Sequence, residues 1–253
     1  MKIIIFVYIM RFLYFLAAIG ECGANGGLDF KLQILDHNLR YVYQKLRTKF
    51  DIVINCFNSY DIVYNFVRKY HFIGEIIGRN KDGHLVELWM MNPPNIYFSK
   101  YDYIFFILDD VQINNIDFYD LIRVKRAHRI EIISPKVLNS THDFMSKYDN
   151  VLTINNCLEV YCLLMTYNDF IKYLSMNTCE NKYIWGVDFL FGHYKIRVGV
   201  YNKYTVNHKI KIVHDNDDVP CNAANKYLTS NGINMPLGEY ISTIPSVIDI
   251  IRT

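Results

Sequence analysis

The stretch Tyr103-Ile104-Phe105-Phe106-Ile107-Leu108-Asp109-Asp110 constrains the fold more than any other part of the chain. Its apolar run is β-branched or aromatic for most of its length and has no polar alternation. It therefore reads as a strand buried on both faces. Strands of that kind belong in sheets covered by helices on each side. The run stops abruptly at two adjacent carboxylates. Carboxylates at the end of a buried strand are costly unless a cation or hydrogen bonds stabilise them. In open α/β sheets, ligands bind at the carboxyl ends of strands. A divalent metal carrying a phosphorylated ligand is one reading of Asp109-Asp110. A turn that opens with two solvated aspartates is the other.

The rest of the chain supplies the helices and strands that such a sheet needs. Leu32, Leu35, Leu39, Val42, Tyr43 and Leu46 recur at helical spacing, which predicts a helix over 28–49. Phe50 to Cys56 reads as a second buried strand, a helix follows around 60–70, and Phe72 to Ile77 reads as a short strand. A helix near 84–92, a loop and helix over 112–126, and a strand from Arg129 ended by Pro135 continue the alternation. Leu158 to Ser175 reads as a helix, and Lys195 to Asn207 as one or two strands. The tail from 215 onward is polar, with helices expected near 222–230 and 244–252. The reading is an α/β single domain with a mixed, mostly parallel sheet flanked by helices. Its main part covers 1–214, and 215–253 forms a C-terminal extension packed on it.

The start of the chain admits three readings. Ile3 to Tyr8 could be a first buried strand leading into a loop or helix that holds Arg11, and this reading suits a parallel sheet best. The run to Ile19 could also be a signal peptide with Ala17 and Ala18 near a cleavage point. A membrane anchor is disfavoured by Arg11 and by the shortness of the apolar run, although residues 1–20 leave membrane association open.

Composition excludes several classes. A net charge of +2 on 253 residues is too balanced for an electrostatic nucleic-acid binder. The six cysteines form no C-x-x-C pair, so they read as reduced, mostly buried thiols. No P-loop, G-x-S-x-G elbow or H-E-x-x-H occurs. The excess of Tyr, Phe, Ile, Asn and Lys fits an AT-rich genome, viral or protist. The cytoplasm is favoured over a secretory lumen, where the sequon Asn139-Ser140-Thr141 would matter. Asp215-Asn216-Asp217-Asp218 lacks the glycine and glutamate of a calcium loop and reads as a solvated turn.

Two further segments carry chemistry. In Trp185-Gly186-Val187-Asp188-Phe189, glycine permits a tight turn and Trp185 offers a flat wall for a sugar. Asp188 is an acid among aromatics, a setting that raises a carboxylate's pKa and suits a general base. The bland alternative makes Trp185 core and Asp188 a cap. Tyr204-Thr205-Val206-Asn207-His208 is a strand-like run ending in imidazole, which completes a metal site only if the fold brings it to Asp110.

The three segments in this order resemble glycosyltransferases of the GT-A fold. They are similar to an uncharacterised GT-A-like family with a W-G-x-D segment followed by a strand pair ending in histidine. The resemblance spans roughly residues 1–210 and rests on these short motifs. It implies a GT-A-like, Rossmann-like sheet and a nucleoside diphosphate sugar as donor, held through Mn²⁺ or Mg²⁺. It also implies transfer of a hexosyl or pentosyl group to a glycan or other hydroxyl acceptor. Asp110 would be the principal metal ligand, Asp109 a second ligand or sugar contact, and His208 the distal ligand. Asp188 would be the candidate base and Trp185 a donor contact. Nucleotide contacts would fall near Val7, Tyr8 and Arg11, and near Asn55 and Asn58, with Arg79-Asn80-Lys81 as a further phosphate candidate. The chain departs from the family in having Leu-Asp-Asp in place of Asp-x-Asp, and a Gly-rich insertion, Gly20 to Gly27, after the first strand. Alternatives are a degenerate GT-A binding module and a nucleotidyltransferase. The latter is disfavoured because Gly20 to Gly27 holds no basic residue. A receiver-like phosphoacceptor would carry its acidic pair after the first strand.

Overall fold

The computed structural model describes residues 10–21, 27–80, 98–140, 149, 151–178, 181–209, 218–243 and 247–252. The strands are β1 (Phe12–Ile19), β2 (Phe50–Cys56), β3 (Ile73–Asn80), β4 (Tyr103–Ile107) and β5 (Val111–Asn115), then β6 (Ile132–Leu138), β7 (Val151–Asn155), β8 (Cys162–Met165), β9 (Val198–His208) and β10 (Val247–Arg252). The helices are α1 (Leu28–Leu46), α2 (Tyr60–Val67), α3 (Phe118–Ala127), α4 (Tyr167–Met176), α5 (Asp218–Ser230) and α6 (Leu237–Thr243). Among the described residues the strands form one sheet in the order β10-β7-β9-β6-β8-β4-β1-β2-β3, with β5 pairing β9 off that path.

The sheet has two characters. β3, β2, β1 and β4 run parallel. Beyond β4 the pairings are mainly antiparallel, with β6 and β9 as the parallel exception. β1 shows why the parallel half needs cover on both faces. Phe12, Tyr14 and Leu16 join one core under α1, α2 and α3. Leu13, Phe15 and Ala17 join a second core with α4, α5 and the 184–191 turns. Every residue of β1 and β4 is buried, as the unbroken apolar runs require.

Several elements differ from expectation. The central strand β1 is Phe12–Ile19, so Arg11 stands directly before a strand. Ile3 to Tyr8 lies outside the described residues. Ala17 and Ala18, weighed as a cleavage point, are buried within β1. Val111–Asn115 is a strand, and the segment read as one long helix from Leu158 contains β8 before α4. β6 passes through Pro135 and continues to Leu138, with its register against β9 shifting between Pro135 and Lys136. Proline is tolerated there because the irregularity removes the need for its missing N–H. The closing element is an edge strand, β10, rather than a helix, antiparallel to β7. Its β-branched Val247, Ile248, Ile250 and Ile251 suit a pleated surface better than a helix. The helix expected near 84–92 falls outside the described residues.

The C-terminal segment is part of the packed body. Tyr227 and Leu228 of α5 are fully buried in the second core. Cys56, Cys157, Cys162 and Cys221 are free thiols, in keeping with the reading from spacing.

Candidate active site

The acidic pair stands where β4 ends. Leu108 N–H donates to the Tyr161 carbonyl at 3.1 Å, and the chain turns through Asp109 and Asp110 into β5. β5 pairs antiparallel with β9, and in that register Val111 faces His208. Lys209 N–H then donates to the Asp110 carbonyl at 2.8 Å. Two strands distant in sequence thus deliver Asp110 Oδ2 and His208 Nε2 to within 3.0 Å of each other. Both residues are buried, at 7% and 6% exposure. Tyr161 stacks on the imidazole, with ring centres 4.6 Å apart and planes at 18°. Burial opposes a charged His208, but the hydrogen bond and charge of Asp110 outweigh it and hold the imidazole above its ordinary value.

β5 is itself pinned by α1. Asn38, 1% exposed, donates to the Val111 carbonyl at 2.8 Å and accepts from Ile113 N–H at 2.9 Å. His37 Nε2 lies 2.8 Å from the Ile113 carbonyl. An interior amide that satisfies one strand's backbone at both a donor and an acceptor fixes that strand's position.

The same helix reaches Asp109. Lys31, in the first turns of α1, is 4% exposed, and its Nζ lies 2.7 Å from Asp109 Oδ2. The ammonium also donates to the Gly20 carbonyl at 2.9 Å and lies 5.6 Å from the centre of the Phe57 ring. Burial, with the charge of neighbouring Asp110 adding to it, raises the Asp109 carboxyl to about 7 against the opposing pull of Lys31. The two aspartates are therefore unequal. One meets a lysine, the other a histidine.

Asp188 occupies a single 3-10 turn, Val187–Phe189, entered through Gly186 at φ +88°. That left-handed backbone is one that glycine adopts without strain. The Asp188 carbonyl accepts from Leu158 N–H at 2.9 Å, tying this turn to the loop after β7. Burial pushes the Asp188 carboxyl up to about 8, and the charge of Glu159 adds to the rise. Glu159 is 4% exposed and accepts a hydrogen bond from Ser140 Oγ. Its charge also acts on His208. Glu159 thus lies electrostatically between the Asp110–His208 pair and Asp188.

The other expected contacts divide by position. Asn55, fully buried, stands at the carboxyl end of β2. Asn58 is engaged by the backbone of the β1–α1 connection, accepting from Glu21 N–H at 2.6 Å and donating to the Glu21 carbonyl at 2.8 Å. Trp185 is partly exposed, and its carbonyl accepts from Asn181 Nδ2 at 2.8 Å. Arg11 is at the wrong end of the sheet for a nucleotide lying over the strand carboxyl ends. It precedes β1 and lines a cavity of about 260 Å³ with Lys49, Asp51, Lys100 and Tyr101, at the strands' amino ends. The physical reason is the position of β1, which begins directly after Arg11 rather than leading into it. Val7, Tyr8 and Lys81 lie outside the described residues, while Arg79 and Asn80 close β3.

Lys31, Asn38, Glu159 and Tyr161 went unread in the sequence. The first two had a signal, since they fall on the buried stripe of α1 beside Leu32, Leu35, Leu39 and Val42. Polar residues on an apolar stripe ask for partners. Glu159, an acid inside Cys157-Leu158-Glu159-Val160, was hidden by the expectation of a helix there.

The fold is a GT-A-like α/β fold. No protein-family model matches the chain, and no curated protein matches it. Solved structures share its fold. A crystal structure of GalNAc-T7 with UDP, GalNAc and Mn²⁺ superposes at a TM-score of 0.60 with 7% identity, over 87% of this chain and 48% of that one. This chain therefore spans about half the length of that structure. S. aureus TarS, residues 1–349, gives 0.61 with 12% identity over 91% of this chain and 68% of the other. The same TarS fragment in complex with UDP-GlcNAc gives 0.56 at 12% identity, over 91% and 69%. At such identities the likeness establishes the fold, and the chemistry has to come from the side chains. No helix among the described residues is long and apolar enough to cross a membrane.

Proposed function

We propose that this chain is a metal-dependent glycosyltransferase that moves a sugar from a nucleoside diphosphate sugar to an acceptor hydroxyl. The observation that carries the reading is the buried Asp110–His208 pair at the carboxyl end of β4 in a GT-A-like sheet. The residues fit a divalent cation. Their 3.0 Å separation is what two adjacent ligands at about 2.1 Å from an octahedral ion would have. Asp110 Oδ1 is buried and accepts no hydrogen bond from the described residues, a state that a cation would relieve. Among the described residues no group of three or more metal-ligating side chains gathers. Mg²⁺ and similar ions commonly take one or two carboxylates, with substrate phosphates and water completing the shell.

Asp110 and His208 would hold Mn²⁺ or Mg²⁺, and the ion would supply positive charge against the departing diphosphate. The remaining roles belong to the chain. Trp185 gives the sugar a flat face. Asp188, with its carboxyl raised to about 8, takes the proton from the acceptor hydroxyl if configuration is inverted. Asn55 would lie beneath the nucleotide, in the layer that supports it at the end of β2. The GalNAc-T7 and TarS complexes make UDP-sugars the first donors to try. The catalytic domain would be residues 1–214, with 215–253 as an extension packed on it, and the protein would act in the cytoplasm.

The direct test is binding of UDP-sugars followed by thermal shift with and without Mn²⁺. Stabilisation that needs Mn²⁺ and is lost in Asp110→Asn supports the site. Binding that Asp110→Asn retains removes it. A second reading, a GT-A-fold binding module without transfer, is favoured by the engagement of Asp109 by Lys31. Donor binding without any donor hydrolysis or transfer would select it.

A further inference from the structure

The acidic pair contains two carboxylates, and they are partnered from opposite sides. Lys31 comes from α1, where it enters the site beside the carboxyl end of β1. Its ammonium is fixed three ways: by the Gly20 carbonyl at 2.9 Å, by Asp109 at 2.7 Å and by the nearby face of Phe57. Its side chain is 5% exposed, so it is not a surface lysine that happens to lie close. Burying an ammonium is costly, and a chain retains one where a specific anion needs it. Asp110 has no such cation. One of its oxygens meets His208 and the other is buried with no hydrogen bond from the described residues.

We propose that Lys31 is a built-in cation that occupies Asp109 and reserves the exchangeable metal for Asp110 and His208. This rests on the metal reading above and deepens it, because it divides the pair between one fixed charge and one ion. The Oδ2 oxygen of Asp109 can ligate the metal only by giving up that buried ion pair. The shortened Leu-Asp-Asp motif is then a pair with two different tasks. Asp109 anchors the turn to α1, and Asp110 meets the ligand. Lys31 thereby sets how many protein carboxylates the ion sees.

Mn²⁺ titration of the full chain, read from the electron paramagnetic resonance signal of the free ion, tests this without any turnover. Asp110→Asn should weaken Mn²⁺ binding by about 10- to 100-fold, the scale on which such sites respond to lost partners. Asp109→Asn alone should also weaken Mn²⁺, because it leaves the Lys31 ammonium uncompensated beside Asp110, and adding Lys31→Met should restore the affinity to within about threefold of the parent. Lys31→Met should tighten Mn²⁺ by about tenfold or more, since the freed carboxylate then joins the shell. Should Lys31→Met fail to fold, the double variant Lys31→Met with Asp109→Asn removes both charges and should bind Mn²⁺ like the parent. A double variant that binds Mn²⁺ as weakly as Asp110→Asn overturns the assignment, since Asp109 would then be a ligand in its own right, while leaving the metal site intact. A parent chain that binds no Mn²⁺ overturns the metal reading and this inference together.

Discussion

At the amino ends of the parallel strands, Lys100 pairs with Glu75 at 2.6 Å and lies 3.7 Å from Asp51, with these side chains 25% to 51% exposed. At the carboxyl ends, Lys31 and Asp109 pair at a similar 2.7 Å with side chains only 5% and 14% exposed. The geometry is alike and the physics is not. An open ion pair forms in high dielectric and contributes about 0–1 kcal/mol. A closed one gives up hydration on both sides and is weak evidence of stabilisation, so its presence points to another use. The same sheet keeps inexpensive charge at one end and costly charge at the other, and the costly end holds the candidate site.

Perturbing the costly end should show the larger effects. Asp188→Asn should lower transfer by about 10²–10⁴-fold with donor binding unchanged, as measured by initial rates and donor titration. Normal turnover would remove Asp188 as the base. The same variant gives a pH signature. Burial raises the Asp188 carboxyl to about 8 from an ordinary 3.8. Between those values the folded chain holds a proton that the unfolded chain releases, so the parent loses stability as pH rises. Melting curves should therefore show Asp188→Asn gaining on the parent from about pH 4 to about pH 8, with no gap at lower pH. A constant gap across that range would mean that the carboxyl titrates normally.

Asn38→Ala probes how the costly end is held rather than what it does. Losing the partner of two buried backbone groups on β5 should cost about 1–3 kcal/mol in denaturant unfolding. Lys100→Ala is the control from the open end. It should change stability by less than about 1 kcal/mol and respond to salt. A larger loss there would erase the contrast between the two ends.

What the sequence disclosed follows the same contrast. β4, β2 and α1 were legible because apolar runs and helical spacing report burial directly, as in Tyr103 to Leu108. Asp110 and His208 were named as partners because their motifs occur in order, but their meeting depends on β5. That strand, Val111-Gln112-Ile113-Asn114-Asn115, shows too few apolar positions to stand out beside a helix start. β8 was absorbed into the following helix, since Cys162-Leu163-Leu164-Met165 is apolar on both readings and its strand state is imposed by β4 and β6 on either side. Arg11 was misplaced because one apolar run at the start offers several strand frames. Only the pairing of Phe12 to Leu16 with Tyr103 to Ile107 selects among them. Lys31 was invisible as a site residue because its meaning lies in Asp109, far along the chain.

The pairing of Val111 with His208 also bears on how this molecule comes into being. The two groups proposed to hold the cation are separated by 98 positions, and the turn that ends the early parallel strands supplies only one of them. A chain emerging from synthesis can close β1, β2 and β4 and expose the Asp109-Asp110 turn with no imidazole opposite. The histidine arrives with the last residue of β9, after a closure whose entropy is paid before its contacts form. An ion that binds both groups favours only chains in which β9 has docked. The cation would then act as a late clasp, drawing the folding equilibrium toward completion.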